Sequence, residues 1–291
     1  MNKRIILLVL LLAVLTPFSF AQKHKKVATK LNVTTQITNT QPDARDKFFT
    51  TSDGVKLHYH IEGKGKPLVI FPGYGQDATK LENIYKGLKN EFTIYCIDNR
   101  WLGQSASPAY GYHIERLAQD AHEMIEDAGL TKFYLFGHSM GNAVAWCYFS
   151  LYGQNQVTKY ILGDEAPCFI SDPFWNDKEV ETYTGSKDRR ELFKAFRAPA
   201  KPENMTLVQD MMDRLLMDHM ARDWRDVVAT IHIPTMIVMG GKSHFASPLL
   251  WDWLHETIKN SRLEVIKDAR HGFYETNPAE FNQLALDFLK K

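Results

Sequence analysis

The chain has few cysteines, almost no net charge and one long apolar run. Three cysteines, Cys96, Cys147 and Cys168, stand among 291 residues. Their odd number and wide spacing form no disulfide framework, and none has the close spacing of a metal-ligand pair. They read as small apolar residues. The formal net charge is +1, which excludes the broad basic field that a nucleic acid or another polyanion requires. Internal repeats are absent, which excludes a solenoid or array. The apolar run at 5–15 is too short for a permanent bilayer span. It follows Lys3 and Arg4, is broken by Pro17, and leads to Ser19-Phe20-Ala21. This is the layout of a signal peptide cleaved after Ala21. The expectation is an exported protein, periplasmic or secreted, that meets the membrane only during export; a retained anchor is the alternative.

What is present is an ordinary globular composition, with 44% apolar and 24% charged residues, enough for a sizeable core. Residues 22–46 are rich in Lys, Thr, Gln and Asn without apolar period and read as a flexible leader. After them, short apolar runs alternate with longer amphipathic ones. Strands are predicted as a hairpin at 48–51 and 56–61, then at 67–71, 92–97, 133–136, 159–162, 235–239 and 263–266. Helices are predicted at 78–90, 113–128, 140–152, 249–259 and 278–290. That alternation predicts an α/β domain, a mostly parallel sheet with helices on both faces. The interval 169–230 is too long for one crossover. With helical stretches at 188–197 and 205–222, it reads as a helical cap inserted into a core of 47–168 and 231–291.

The strongest motif is Gly137-His138-Ser139-Met140-Gly141, placed between a strand and a helix. A tight turn there pushes the serine out of the sheet, and the glycines permit it. Ser139 then stands at a helix N-terminus, which favours developing negative charge. A serine that only caps the helix is the plainer reading. With this motif the chain resembles the α/β-hydrolase superfamily, and other pieces follow in that family's order. Phe71-Pro72-Gly73-Tyr74-Gly75 is similar to the family's His-Gly loop, with Pro72 at the histidine. Asp98-Asn99-Arg100-Trp101-Leu102-Gly103-Gln104-Ser105 is similar to its D-x-R-G-x-G-x-S loop. Asp268-Ala269-Arg270-His271-Gly272-Phe273 is similar to the loop that carries its histidine. The resemblance implies Ser139 as nucleophile, His271 as base, and the N–H groups of Tyr74 and Met140 as oxyanion hole. It implies no metal and no organic cofactor.

The third group of the triad is less direct. Many members carry an aspartate in a Gly-x-x-Asp loop after the strand at 235–239. Here that loop is Gly240-Gly241-Lys242-Ser243-His244, with Ser243 at the acid's place. The family's other location, at the end of the strand at 159–162, offers Asp164, with Glu165 as fallback. Asp164 is the expected orienting acid; an aspartate that merely braces the turn is the alternative. His244 is the rival base, and the ring of His138 is expected to point away from the site. In the cap, Phe169, Phe174, Trp175, Phe193, Phe196, Leu207, Met211, Leu215, Met220 and Trp224 either pack it on the core or line an apolar pocket. Arg100 and Arg270 stand near the site in sequence. The resemblance implies hydrolysis of small or medium apolar carboxylic esters, with a small molecule as partner and no nucleic acid. Amidase, aminopeptidase or cofactor-free haloperoxidase chemistry on the same residues is an alternative. So is a ligand-binding protein with weakened catalysis.

Overall fold

The computed structural model describes residues 44–169, 204–243, 245 and 247–291. The expected export signal, nearly all of the leader and the helix predicted at 188–197 lie outside them. Eight strands form one sheet: β1 (Asp46–Thr50), β2 (Lys56–Gly63), β3 (Lys66–Phe71), β4 (Phe92–Asp98), β5 (Phe133–His138), β6 (Val157–Gly163), β7 (Thr235–Gly240) and β8 (Ser261–Ile266). Their spatial order is β1-β2-β4-β3-β5-β6-β7-β8. The β1–β2 and β2–β4 pairs are antiparallel, and every later pair is parallel, as the strand–helix alternation predicts. No helix among the described residues is long and apolar enough to cross a membrane.

Each central strand feeds two cores. Val69, Phe133, Leu135, Leu162 and Ile237 point to one face, where α2 (Ile114–Asp127), α3 (Met140–Tyr152), α4 (Leu207–Met220) and α6 (Pro248–Thr257) contribute. Their neighbours Leu68, Ile70, Tyr134, Phe136, Ile161, Met236 and Val238 point to the other, under α1 (Glu82–Leu88), α7 (Phe273–Thr276) and α8 (Pro278–Lys290). This is why the strand runs are apolar without alternation: both faces are covered. Each such side chain, fully buried, contributes about 1.5–3 kcal/mol. Between β6 and β7 the chain carries α4 and the short α5 (Arg225–Val228). Thr206 and Gln209 start α4 with reciprocal side-chain-to-backbone bonds. Of the stripe spaced by four, Met211 and Leu215 are buried, whereas Leu207, in the first turn, is exposed.

The loop after β4 is structural. Asp98 Oδ1 accepts the Ala78 N–H at 2.7 Å, and Oδ2 accepts the Gln104 N–H at 2.9 Å. A Cβ on Gly103 would stand 1.9 Å from Asp98 Oδ2, so only glycine fits. Arg100 is buried, bonded to Asp120 at 2.6 and 2.7 Å and to Asp53 at 3.1 Å. Its nearness to the site in sequence therefore gives no substrate contact, because both partners already hold the guanidinium.

His58, on β2, is buried between two carboxylates. Its Nδ1 donates to Asp98 Oδ2 at 2.7 Å and its Nε2 to Asp46 Oδ1 at 3.2 Å. Burial works against the charged ring, but the hydrogen bonds and charges of Asp98 and Asp46 outweigh it and raise the His58 pKa. A raised histidine pKa stabilises the fold fully below the unfolded value of about 6.5, and the gain is lost as pH rises through the folded value. The urea midpoint should therefore fall across that interval in the wild type, and His58→Gln should flatten the fall. Equal pH slopes in the two proteins would overturn this assignment.

Candidate active site

The site is built at the carboxyl ends of the central strands, where parallel sheets place their ligands. β5 ends at His138 and α3 begins at Met140, leaving Ser139 as the only residue of the turn. Its backbone is forced to φ 52° and ψ −132°. A non-glycine residue with positive φ costs about 1–2 kcal/mol. Several bonds offset that strain: Ser139 N–H to Gly163 O at 2.9 Å, Asn142 Nδ2 to the same oxygen at 2.8 Å, and Asn142 N–H to Ser139 O at 2.8 Å. Tyr160, on β6, donates its hydroxyl to Asn142 Oδ1 at 2.6 Å. The glycines let the helix start close against β3. A Cβ on Gly141 would stand 1.9 Å from Phe71 O, and one on Gly137 would stand 2.6 Å from Asn142 Oδ1.

Asp164 and His271 arrive from the next strands. Asp164 follows β6 with φ 47°, and its N–H extends the ladder to Val238 O at 2.9 Å. Its carboxylate has no exposed surface. His271 Nδ1 donates to Asp164 Oδ2 at 2.8 Å, and Gly240 N–H to Oδ1 at 3.4 Å. The Ser243 hydroxyl stands near the same carboxylate and favours its charged form. Burial raises the Asp164 pKa above the usual carboxylate range, against the pull of His271, Ser243 and the Gly240 N–H. With the Nδ1 proton directed at a carboxylate, Nε2 is the basic nitrogen of His271.

Glu165 faces the other way. Its Oε1 accepts the Ala166 N–H at 2.8 Å, and Oε2 lies 3.5 Å from His219 Nε2 on α4. Of the two carboxylates weighed from the sequence, the structure brings Asp164 to His271. Ser243, at the acid's more common place, supplies a hydroxyl to Asp164 and accepts the Phe245 N–H at 3.1 Å. His244 lies outside the described residues.

The loop after β3 packs directly on the turn, for a Cβ on Gly73 would stand 3.2 Å from Ser139 Cβ. Tyr74, next in that loop, is half-buried, and among the described residues its N–H has no backbone acceptor. Met140 opens α3, where an N–H has no carbonyl one turn back. Rings form the wall beside the base: Phe245 lies 5.3 Å from His271, Phe169 5.7 Å from Phe245, and His219 5.2 Å from Phe169. Phe174, Trp175, Phe193 and Phe196 lie outside the described residues. Arg270 is exposed.

His138 departs from expectation. Its ring lies 4.8 Å from that of His271, tilted by 42° to it, instead of pointing away. Gln76 and Tyr274, which sequence reasoning did not single out, bond near it. No motif signals them, because they are 198 residues apart in the chain. A groove of about 640 Å³ opens elsewhere, beside α1 and β2. Its charges are paired internally, Glu62 with Lys89 at 2.7 Å and His60 with Asp46 at 2.9 Å.

Gly141→Ala tests the turn. The added methyl meets backbone oxygen of Phe71 rather than a movable side chain. The expected result is a loss of stability of about 1–3 kcal/mol or more, read as a lower urea midpoint. A midpoint equal to the wild type's would mean that the helix start is not held this closely.

Comparison with known proteins agrees with this architecture. The family model for the alpha/beta hydrolase fold matches residues 66–183. The human serine hydrolase BPHL is 26% identical over 82% of this chain and 84% of its own length. A non-heme haloperoxidase of Rhodococcus erythropolis is 24% identical over 84% of this chain and 99% of its own. Among solved structures, an esterase from Exiguobacterium antarcticum superimposes with a TM-score of 0.69 at 25% identity, covering 84% of this chain and 99% of the esterase. From its strand order, its strained strand–serine–helix turn and these relatives, the chain has the α/β-hydrolase fold.

Proposed function

We propose that this chain is a serine hydrolase that cleaves small or medium apolar carboxylic esters through an acyl-enzyme. The observation that carries the reading is the buried Asp164 carboxylate, 2.8 Å from His271 Nδ1, beside the strained turn at Ser139. Ser139 Oγ attacks the ester carbonyl carbon while His271 Nε2 takes the hydroxyl proton. Asp164 fixes the tautomer of His271 and stabilises the imidazolium. The Tyr74 and Met140 N–H groups donate to the oxyanion of the tetrahedral intermediate. The intermediate collapses, the C–O bond to the alcohol breaks, and His271 returns the proton to the leaving oxygen. Water then attacks the acyl-enzyme with His271 as base, releasing the carboxylic acid and restoring Ser139. The rings of Phe169 and Phe245 beside the base favour an apolar substrate.

The name of the Rhodococcus relative supports a second reading, halogenation on the same residues. A halide- and peroxide-dependent assay run beside an ester screen separates the two.

The decisive measurement is hydrolysis of p-nitrophenyl esters of increasing chain length, beside amino-acid amides. Ser139→Ala should lower kcat by about four to six powers of ten. Asp164→Asn should lower it by about four powers of ten. Ser243→Ala removes a hydroxyl that favours the charged carboxylate and should cost only about ten-fold. Retention of wild-type turnover in Ser139→Ala overturns the reading. A silent Asp164→Asn leaves at most a serine–histidine dyad.

We also propose export, from the basic, apolar and small-residue succession at the N-terminus. Intact-mass measurement of extracytoplasmic protein should give a chain beginning at or near Gln22. Membrane-bound protein that retains Met1 argues for an anchor instead.

A further inference from the structure

A directed chain of hydrogen bonds runs from the loop after β3 to the carbonyl of His271. It begins at Gly73, whose N–H donates to Gln76 Oε1 at 3.0 Å. That bond fixes which end of the Gln76 amide accepts, so Nε2 is the donor, and it bonds the Tyr274 hydroxyl oxygen. The Tyr274 oxygen stands 3.3 Å from His138 Nδ1. At the far side of the ring, His138 Nε2 lies 2.9 Å from His271 O. A carbonyl oxygen only accepts, so Nε2 carries a proton. In a neutral ring Nδ1 is then an acceptor, and the Tyr274 O–H is placed to donate to it.

Every donor in this chain meets an acceptor only if His138 is neutral and protonated on Nε2. Were Nδ1 also protonated, Tyr274 would face a donor and lose its acceptor. Gln76 Oε1, which accepts the Gly73 N–H, also stands 3.3 Å from Nδ1 and could take a proton there with its second lone pair, but the Tyr274 hydroxyl would still lose its acceptor. The surroundings favour the neutral ring: His138 and Tyr274 are buried, and the Phe273 ring lies 5.5 Å from His138. Burial also raises the Tyr274 pKa, which keeps its proton on the oxygen.

The chain has little slack at its start. Gln76 N–H bonds back to Gly73 O at 3.2 Å. A Cβ on Gly73 would stand 2.9 Å from Gln76 Oε1 and 3.2 Å from both His138 Nδ1 and Ser139 Cβ. The loop, the nucleophile turn and the ring therefore touch at one point.

We propose that His138 is a neutral positioning residue that, with Gln76 and Tyr274, ties the oxyanion loop at Gly73–Tyr74 to the backbone of His271. This rests on the ester-hydrolase reading of the same site. The groups that receive the negative charge and move the proton then keep one spacing about Ser139. Misplacement of about 1 Å at such a site costs roughly a hundred-fold in rate.

Two measurements test it. The first needs no substrate: the imidazole ¹⁵N shifts of His138 near neutral pH. Protonated Nε2 and an unprotonated, hydrogen-bonded Nδ1 are expected. The opposite tautomer, or a doubly protonated ring, overturns the proposal whether or not the chain hydrolyses esters. The second is Tyr274→Phe, which removes only the hydroxyl in the middle of the chain. It should lower kcat on a p-nitrophenyl ester about 10–100-fold with KM within about two-fold. Labelling of Ser139 by a fluorophosphonate should slow by a similar factor. Wild-type kcat and labelling rate in Tyr274→Phe overturn the positioning role. A wild-type protein that neither hydrolyses esters nor takes the probe overturns the hydrolase reading instead and leaves the tautomer result to decide the hydrogen-bond chain.

Discussion

Keeping a carboxylate ionised without water costs several kcal/mol unless donors fill its oxygens. Asp164 meets that demand with groups from four segments: its own position after β6, the Gly240 N–H at the end of β7, the Ser243 hydroxyl beyond it, and His271 after β8. These segments meet only when the strands are in register, with Gly163 opposite Val238 and Gly240 opposite Ile266. A one-residue slip of β7 would turn its side chains to the opposite face and withdraw the N–H from the carboxylate. Sheet register and site geometry are thus one constraint.

Backbone strain collects along the same edge. Among the described residues, the non-glycine positions with positive φ are Trp101, Ser139 and Asp164. They follow β4, β5 and β6 respectively. Strained conformations persist where the surroundings over-determine them. Here the two apolar cores hold the strands from both faces, and the strain falls where the strands emerge.

The fold and the nucleophile turn were legible because their signals are local. Apolar runs of strand length, amphipathic runs between them and Gly-x-Ser-x-Gly all lie within short windows, and α3 and α8 match their predicted spans of 140–152 and 278–290. The acid was not legible to the same degree. Asp164 and Glu165 are adjacent and chemically alike, and only the third dimension sends one to His271 and the other towards His219. His138 keeps the alternation of β5, on the face of Tyr134 and Phe136, but that face carries its ring under α7 and beside His271, a meeting that no short window of sequence shows. Nothing local pairs Arg100, which stands near the site in sequence, with Asp53 and Asp120, since they lie 47 and 20 residues away.

The excursion between β6 and β7 has a closed neck. Cys168 and Asp223 pair as an isolated antiparallel bridge, and Trp224 N–H donates to Pro167 O at 2.7 Å. A segment whose ends are already pinned can change length at small entropic cost, since closure depends only on the logarithm of the number of residues. Insertions between those two points that spare the core-packed face of α4 need not move the β6–β7 pairing. Under the hydrolase reading, bond breaking and substrate choice could then diverge independently, the material beyond the neck changing while the register that assembles Asp164 and His271 is inherited.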